Sequence, residues 1–267
     1  LRNPVLFKEP IDDKGTVPLS ISLSIMGIFV GSAAQSALDG LVVWARVAGV
    51  EGDAILILET SMPQASVALV SACGRIEQRF FQSDRSHNAL LFGPLRELLI
   101  GGVRIGLVLV GSGPGSYSGT RVGIAAAQGV ALALSCPVAA VPSVLAVDEN
   151  GGGRGMLMIG DARRGSWWTV STLHRRMMEV PALVDERQLR EAVEAAIHAG
   201  CGVATMEPSA YPLDPDFARV IRRVEPTAAG LWMAWSAADE AQRQAWIADP
   251  PRPIYLKPPH ITPARRS

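Results

Sequence analysis

The sequence predicts an α/β fold made of two related halves with a cleft between them. Three observations predict it. Short apolar strand patterns alternate with helices that carry one apolar stripe. The first half reads βββαβαβα, and after a glycine-rich break a shorter version recurs as ββ followed by αβα. The recurrence lies in element order, since no internal sequence repeat is visible. It sets expected boundaries at 53–150 for the first domain and 151–257 for the second, with a tail at 258–267 and an N-terminal extension at 1–52.

The elements follow in order from Asp53. AILIL (54–58) is a short apolar run of the kind buried on both faces of a sheet. The turn-prone ETSMPQ leads to ASVALVS (65–71). A polar break at Cys73, Gly74 and Arg75 precedes IEQRFF (76–81), which completes an antiparallel meander. SHNALLFGPLRELLI (86–100) places Leu90, Leu91, Leu95, Leu98 and Leu99 at helical spacings. Pro94 is expected to kink or divide this helix, because it lacks an N–H and crowds the preceding turn. Gly101 and Gly102 end it. IGLVLVG (105–111) reads as a central strand and VGIAAAQGVALAL (122–134) as an Ala-rich helix. VAAV (138–141) follows as a strand, and PSVLAV (142–147) as a helix start.

After the loop DENGGGRG (148–155), MLMIG, ARRG and SWWTVST give strand, turn and strand. A helix is expected over 187–200 and a strand over 201–206. One long helix is expected over 226–246, opened by Pro226 and free to pack back on the first domain. A Pro-rich tail begins at Pro250.

Hydrophobic residues make up 48% of the 267 and charged residues 19%, enough apolar material for a core and against global disorder. The formal net charge of 0 does not mark a nucleic-acid binder. Cys73, Cys136 and Cys201 lie far apart without CxxC spacing, which points to a reducing compartment and buried thiols. His87, His174, His198 and His260 show no HxxxH or HExxH spacing, so no helix-borne metal site is expected. His87 reads as a cap or surface residue, and His198 suits a helix C-terminus.

Gly15 to Leu38 contains no charged residue and includes PLSISLSIMGIFVGSAA, which has the look of a signal-peptide core or weak membrane span. Its flank mixes Glu9, Asp12 and Asp13 with Lys8 and Lys14, a poor basic anchor. The expectation is a dispensable extension, from a fragment or an over-extended translation beginning at Leu1, with membrane association as the minor alternative.

The loop GSGPGSYSGTR (111–121) lies between a buried strand and a helix. Gly111, Gly113, Gly115 and Gly119 allow a tight turn, with Ser112, Ser116, Ser118 and Thr120 among them. Three readings stand open: a structural strand-to-helix turn, an anion or nucleotide contact at the helix N-terminus, and part of a subunit interface. The P-loop pattern fails because Arg121 is the only cation and no Lys is present. GxGxxG fails at Ser118, and the nucleophile elbow fails because Tyr117 stands where it needs Ser. Glu59 ends the first strand, and Asp161 takes the matching place in the second half. The pair is expected to face a shared cleft, with a salt bridge or turn between Asp161 and Arg163 or Arg164 as the alternative.

Several segments together carry a more specific resemblance. LETSMPQASVALVS (58–71) is similar to the opening D-T-S…S-V-A-L of the TsaB (YeaZ) family, and SHNALLFGPLRELL to its S-H…L-L-P helix. The run from Gly111 to Val147 is similar to its G-P-G-S-[FY]-[ST]-G-x-R-x-G-x-x-x-A-x-G signature and the strand and helix after it. IGDARRGSWW (159–168) and PIYLK resemble its D-A-R-R and closing P-x-Y-L-R segments. The resemblance implies an actin/Hsp70-like (ribonuclease H-like) two-domain α/β fold, here with an atypical N-terminal extension. It implies a cytoplasmic, non-catalytic scaffold subunit that heterodimerises with a TsaD-type catalytic subunit and is joined by a TsaE-type ATPase. Together these carry threonylcarbamoyl to N6 of adenosine 37 in tRNA, which this subunit meets only through the complex; alone it could form a homodimer.

No cofactor, metal or catalytic residue is implied beyond weak or vestigial ATP/ADP binding. The degenerate nucleotide cleft carried over comprises Glu59 (where the family usually has Asp), Thr60, Ser61, Gly113, Gly115, Ser116, Gly119, Arg121, Asp161 and Arg163. The partner surface carried over lies on the two first-domain helices, at His87, Leu90, Leu91, Leu95, Leu98, Ala126 and Gly129. The competing functions are an ATP-binding phosphotransferase or ATPase of the same fold, and a homodimeric structural protein.

Overall fold

A computed structural model describes residues 53–82, 87–100, 102–147, 155–207 and 211–256; the expectations for 1–52 and for the tail beyond 256 lie outside these residues. The first lobe holds β1 (Ala54–Glu59), β2 (Gln64–Val70), β3 (Ile76–Gln82), α1 (His87–Leu99), β4 (Ile105–Gly111), α2 (Tyr117–Leu134) and β5 (Val138–Val141). Its sheet has the order β3-β2-β1-β4-β5, antiparallel through the meander and parallel from β1 to β5.

The second lobe holds β6 (Met156–Asp161), β7 (Trp167–Leu173), β8 (Arg176–Met177), β9 (Ala182–Val184), α3 (Glu186–His198), β10 (Gly202–Thr205), α4 (Pro215–Val220) and β11 (Ile221–Arg223). Its order, β11-β10-β6-β7-β8 with β9 also on β7, repeats the first lobe's pattern, with β6 and β7 in the places of β1 and β2, and β10 in that of β4. The recurrence read from element order is thus present as topology. Finally α5 (Ala228–Ala237) and α6 (Glu240–Ala248) return to the first sheet.

Burial explains the apolar runs. Every residue of β1 is buried, which requires cover on both faces. Ala54, Leu56 and Leu58 share a core cluster with Leu91, Leu95 and Leu98 of α1 and Ile124, Ala127 and Ala131 of α2. Helix α5 packs the sheet from β1, β2 and β4, with Ala228 N–H donating to Ser66 Oγ at 2.8 Å and Ala229 N–H to Gln78 Oε1 at 2.7 Å. In the second lobe Leu157, Ile159 and Val203 meet Leu189 and Val193 of α3. An Asp185/Gln188 capping box starts that helix.

Local chemistry corrects several expectations. Helix α1 runs through Pro94 undivided, and Gly93 before it has no Cβ to collide with the proline ring. Helix α2 starts at Tyr117 and not at Val122, because Ser116 caps it by accepting from Gly119 N–H. Residues 142–147 form only a 3-10 turn at Ser143–Leu145. The long helix of 226–246 is two helices: Ala238 is extended and Asp239 caps α6 through Gln242 N–H. The short β8, β9, α4 and β11 carry too few residues to show a period. The cysteines are free as expected, but Cys73 is exposed at the β2–β3 turn and Cys136 and Cys201 are only half-buried. Among the described residues no helix is long and apolar enough to cross a membrane.

Candidate functional site

The glycine loop is the junction of the first lobe, and several of its backbone groups bond within the protein. Gly113 N–H donates to Ser143 Oγ at 3.0 Å and Gly113 C=O accepts from Ser143 N–H at 2.8 Å. Ser116 N–H donates to Ser61 C=O at 2.6 Å, and Gly119 N–H to Ser116 Oγ at 3.2 Å. Thr60 Oγ1 donates to Gly119 C=O at 2.8 Å. The first turn after β1, the loop after β4 and the turn after β5 are therefore stitched to one another. Gly115 is required by this closeness, since a Cβ there would stand 2.4 Å from Ser61 C=O. The tail joins the same junction, with Ile254 N–H donating to Ser112 C=O at 2.8 Å.

Glu59 is fully buried beneath the loop. Its Oε1 accepts Ser61 N–H at 2.7 Å, while Oε2 has no hydrogen-bond partner. Burial pushes the carboxyl above its ordinary range. The hydrogen bond from Ser61 N–H offsets part of this. Gly111 forms the lid, and a Cβ there would lie 2.1 Å from Oε2. Glu59 consequently does not face the cleft, and the expected acid pair with Asp161 is not formed.

Asp161 does line a cleft of about 610 Å³ between the lobes, with Arg163, Glu207, Gly115, Ser116 and Thr120. The β6–β7 turn folds Asp161 onto Arg163: Oδ1 accepts Arg163 N–H at 2.6 Å and Oδ2 accepts Nη1 at 2.9 Å. Arg163 and Arg164 both take left-handed φ there. Glu207 Oε2 accepts Asp161 N–H at 2.9 Å. Tyr211 braces the segment after β10 through its hydroxyl, 2.6 Å from Thr205 Oγ1, and burial pushes its pKa up to about 12, so it stays protonated. At the cleft mouth Tyr117 and Tyr255 meet at 5.8 Å between centroids. The Arg121 guanidinium lies 4.9 Å from the Tyr117 ring centre, outside the cleft lining.

Of the residues singled out from the sequence, Gly115, Ser116, Asp161 and Arg163 come together at the cleft. Thr60, Ser61, Gly113 and Gly119 lie buried in the junction behind it, and Arg121 is exposed. Sequence reasoning missed Glu207 and Trp168 as cleft residues; the only signal was the place of Glu207 just after β10, the strand equivalent to β4. Tyr255 sat within the PIYLK segment without being given a role.

The partner surface divides. Leu91, Leu95 and Leu98 are 0%, 3% and 5% exposed and belong to the core, because the apolar stripe of α1 faces its own sheet. Leu90 is exposed with Phe92, as is Gly129, while Ala126 is half-buried against the core cluster. The side chain of His87 lies outside the described residues.

These residues offer little to a nucleotide's phosphates. The loop N–H groups of Gly113, Ser116 and Gly119 already donate within the protein. Asp161 and Glu207 place negative charge where phosphates would lie, and the one arginine lining the cleft is bound to Asp161. Glu59 is sealed from any ion in the cleft. Among the described residues no group of three or more His, Cys, Asp or Glu is placed to hold a metal.

A family model for TsaD, tRNA N6-adenosine threonylcarbamoyltransferase, matches residues 93–186. The tRNA threonylcarbamoyladenosine biosynthesis protein TsaB of Escherichia coli (strain K12) is 31% identical over 124 residues, and that of Bacillus subtilis (strain 168) is 30% identical over 121. Each match covers 43% of this chain and 53% of the relative, so the chain spans about half the length of the curated relatives it matches. YeaZ from Pseudomonas aeruginosa superposes with a TM-score of 0.55 at 23% identity, over 76% of this chain and 100% of that one. A P. aeruginosa protein described as similar to peptidase YEAZ gives 0.57 at 24%, over 77% and 100%. The chain resembles the TsaB/YeaZ family, and its fold is the two-lobed α/β architecture of YeaZ.

Proposed function

We propose that this chain is a non-catalytic scaffold subunit for N6-threonylcarbamoylation of adenosine 37 in tRNA, acting by binding a TsaD-type catalytic subunit. The observation that carries the reading is the glycine loop. It keeps the sequence that resembles the TsaB signature, yet its N–H donors bind Ser143, Ser61 and Ser116 of the same chain. Such a loop organises a lobe and has few donors left for a phosphate. The phosphotransferase alternative needs acids free to hold Mg²⁺ and donors free to cradle phosphates, and Glu59 and this loop supply neither. A TsaE-type ATPase joins the complex in this reading, and tRNA is met through the catalytic partner.

The partner surface is the outer face of α1 and α2, marked by Leu90, Phe92 and Gly129, which the core leaves exposed. The test is co-purification with the TsaD-type protein of the same organism, followed by threonylcarbamoyl transfer with and without this chain. Transfer that needs the chain supports the scaffold role; full transfer in its absence, or ATP turnover by the isolated chain, rejects it. Leu90→Glu and Gly129→Glu should reduce co-purification at least about tenfold, as expected for charges placed in an apolar interface. Their melting temperatures should stay near that of the wild type, because both sites are exposed.

A further inference from the structure

The chain leaves the first lobe after Val147 and returns to it at Ala228, the start of α5, so contacts made at these two points bear on how far the cleft opens. One side chain reaches both. Arg175 stands at the β7–β8 turn of the second lobe, where His174 and Arg175 take φ of 49° and 57°. This is the left-handed backbone that a tight two-residue hairpin demands, here adopted by two residues that are not glycine. The turn aims the Arg175 guanidinium into the first lobe. Its Nη1 donates to Leu145 C=O at 3.0 Å and Val147 C=O at 3.2 Å, at the end of the first lobe, and to Gly230 C=O at 3.4 Å, in the first turn after the return.

The surrounding contacts tighten the same point. Gly230 presses on Ala146, where a Cβ would come within 1.7 Å of the carbonyl oxygen, and Thr227 N–H donates to that oxygen at 3.4 Å. Beside it Arg176 pairs with Asp239, the cap of α6, at 2.8 Å.

We infer that Arg175 is a hinge pin: it ties the end of the first lobe at Leu145 and Val147, the returning helix and the second-lobe hairpin into one unit and so fixes the opening of the cleft without a ligand in it. A charged, half-buried donor shared among carbonyls is stronger than a neutral one, and no other residue type combines its reach with several N–H groups. The contacts with Asp161 and Glu207 deep in the cleft play no part in this pin, and it does not depend on the scaffold reading.

The test places spin labels at Cys73 in the first lobe and at E191C on α3, in a C136S/C201S background of the full chain, and reads the inter-lobe distance distribution. R175M keeps the aliphatic stem and removes the donors. It should broaden the distribution, and amides of 227–231 should exchange roughly tenfold faster while those of β1 and β6 do not change, as expected when charge-assisted hydrogen bonds are lost locally. R175K should fall between R175M and the wild type. An unchanged distribution in both variants overturns the pin. Should R175M fail to fold, R175K decides alone: a broader distribution supports the inference, and one equal to the wild type overturns it.

Discussion

Glu59 and Asp161 end equivalent strands of two lobes with the same topology, yet one carboxyl is sealed in protein and the other lies in the cleft. The difference comes from their neighbours. Glu59 is covered by Gly111 and the turn at Ser143, so burial raises its pKa and one oxygen has no partner. Asp161 ends a strand followed by a tight Arg-Arg-Gly turn, and it is satisfied by the Arg163 backbone and guanidinium. A repeated topology thus carries two chemistries: a structural acid in the first lobe and a surface ion pair in the second.

The contrast can be broken most severely at its lid. Gly111→Ala puts a methyl group into the space held by Glu59 Oε2 and should destabilise the protein by about 3 kcal/mol in urea unfolding. A loss near zero would mean that the Glu59 carboxyl can move aside. Next comes the pH dependence. Because the folded pKa of Glu59 is raised, the folded state holds its proton more tightly than the unfolded state does. The associated stability is complete below the ordinary carboxylate range and declines as pH rises through it to the folded value. The decline is about 1.4 kcal/mol per pH unit across that interval. Glu59→Gln keeps an acceptor for Ser61 N–H and should remove this slope, measured as unfolding free energy at mildly acidic and at neutral pH. An unaltered slope would show that the carboxylate is hydrated.

Asp161→Ala should have the smallest effect. It removes a pair whose arginine side chain is 78% exposed, and should change stability by no more than about 1 kcal/mol in the same unfolding measurement. A loss as large as that of Gly111→Ala would erase the distinction between the two strand ends.

Much of the fold was legible because its signals are local. The apolar runs of β1, β4 and β6 and the stripe of α1 report burial directly, and Gly200 marks the end of α3. The boundaries that were missed turn on single caps. Ser116 and Asp239 each start a helix by accepting one N–H, and in sequence each is only one polar residue among several. The site was less legible. Glu59 and Asp161 were found by position, but whether an acid faces a cleft depends on what covers it, and Gly111 and Ser143 lie 52 and 84 residues from Glu59 by their numbering. Leu91, Leu95 and Leu98 show the same limit, since periodicity reveals an apolar stripe without saying whether its own sheet or another protein covers it.

The sequence by itself determined the longer strands and most of the longer helices, the doubling of their order and the loop that resembles the TsaB signature, because each rests on spacing within a short window. Tertiary structure alone decided that loop N–H groups bond to Ser61 and Ser143, that Glu59 is enclosed, and that Arg175 reaches from the second lobe to Leu145, Val147 and Gly230. These outcomes depend on distances between residues remote in the chain, which are set only when the sheets close against their helices.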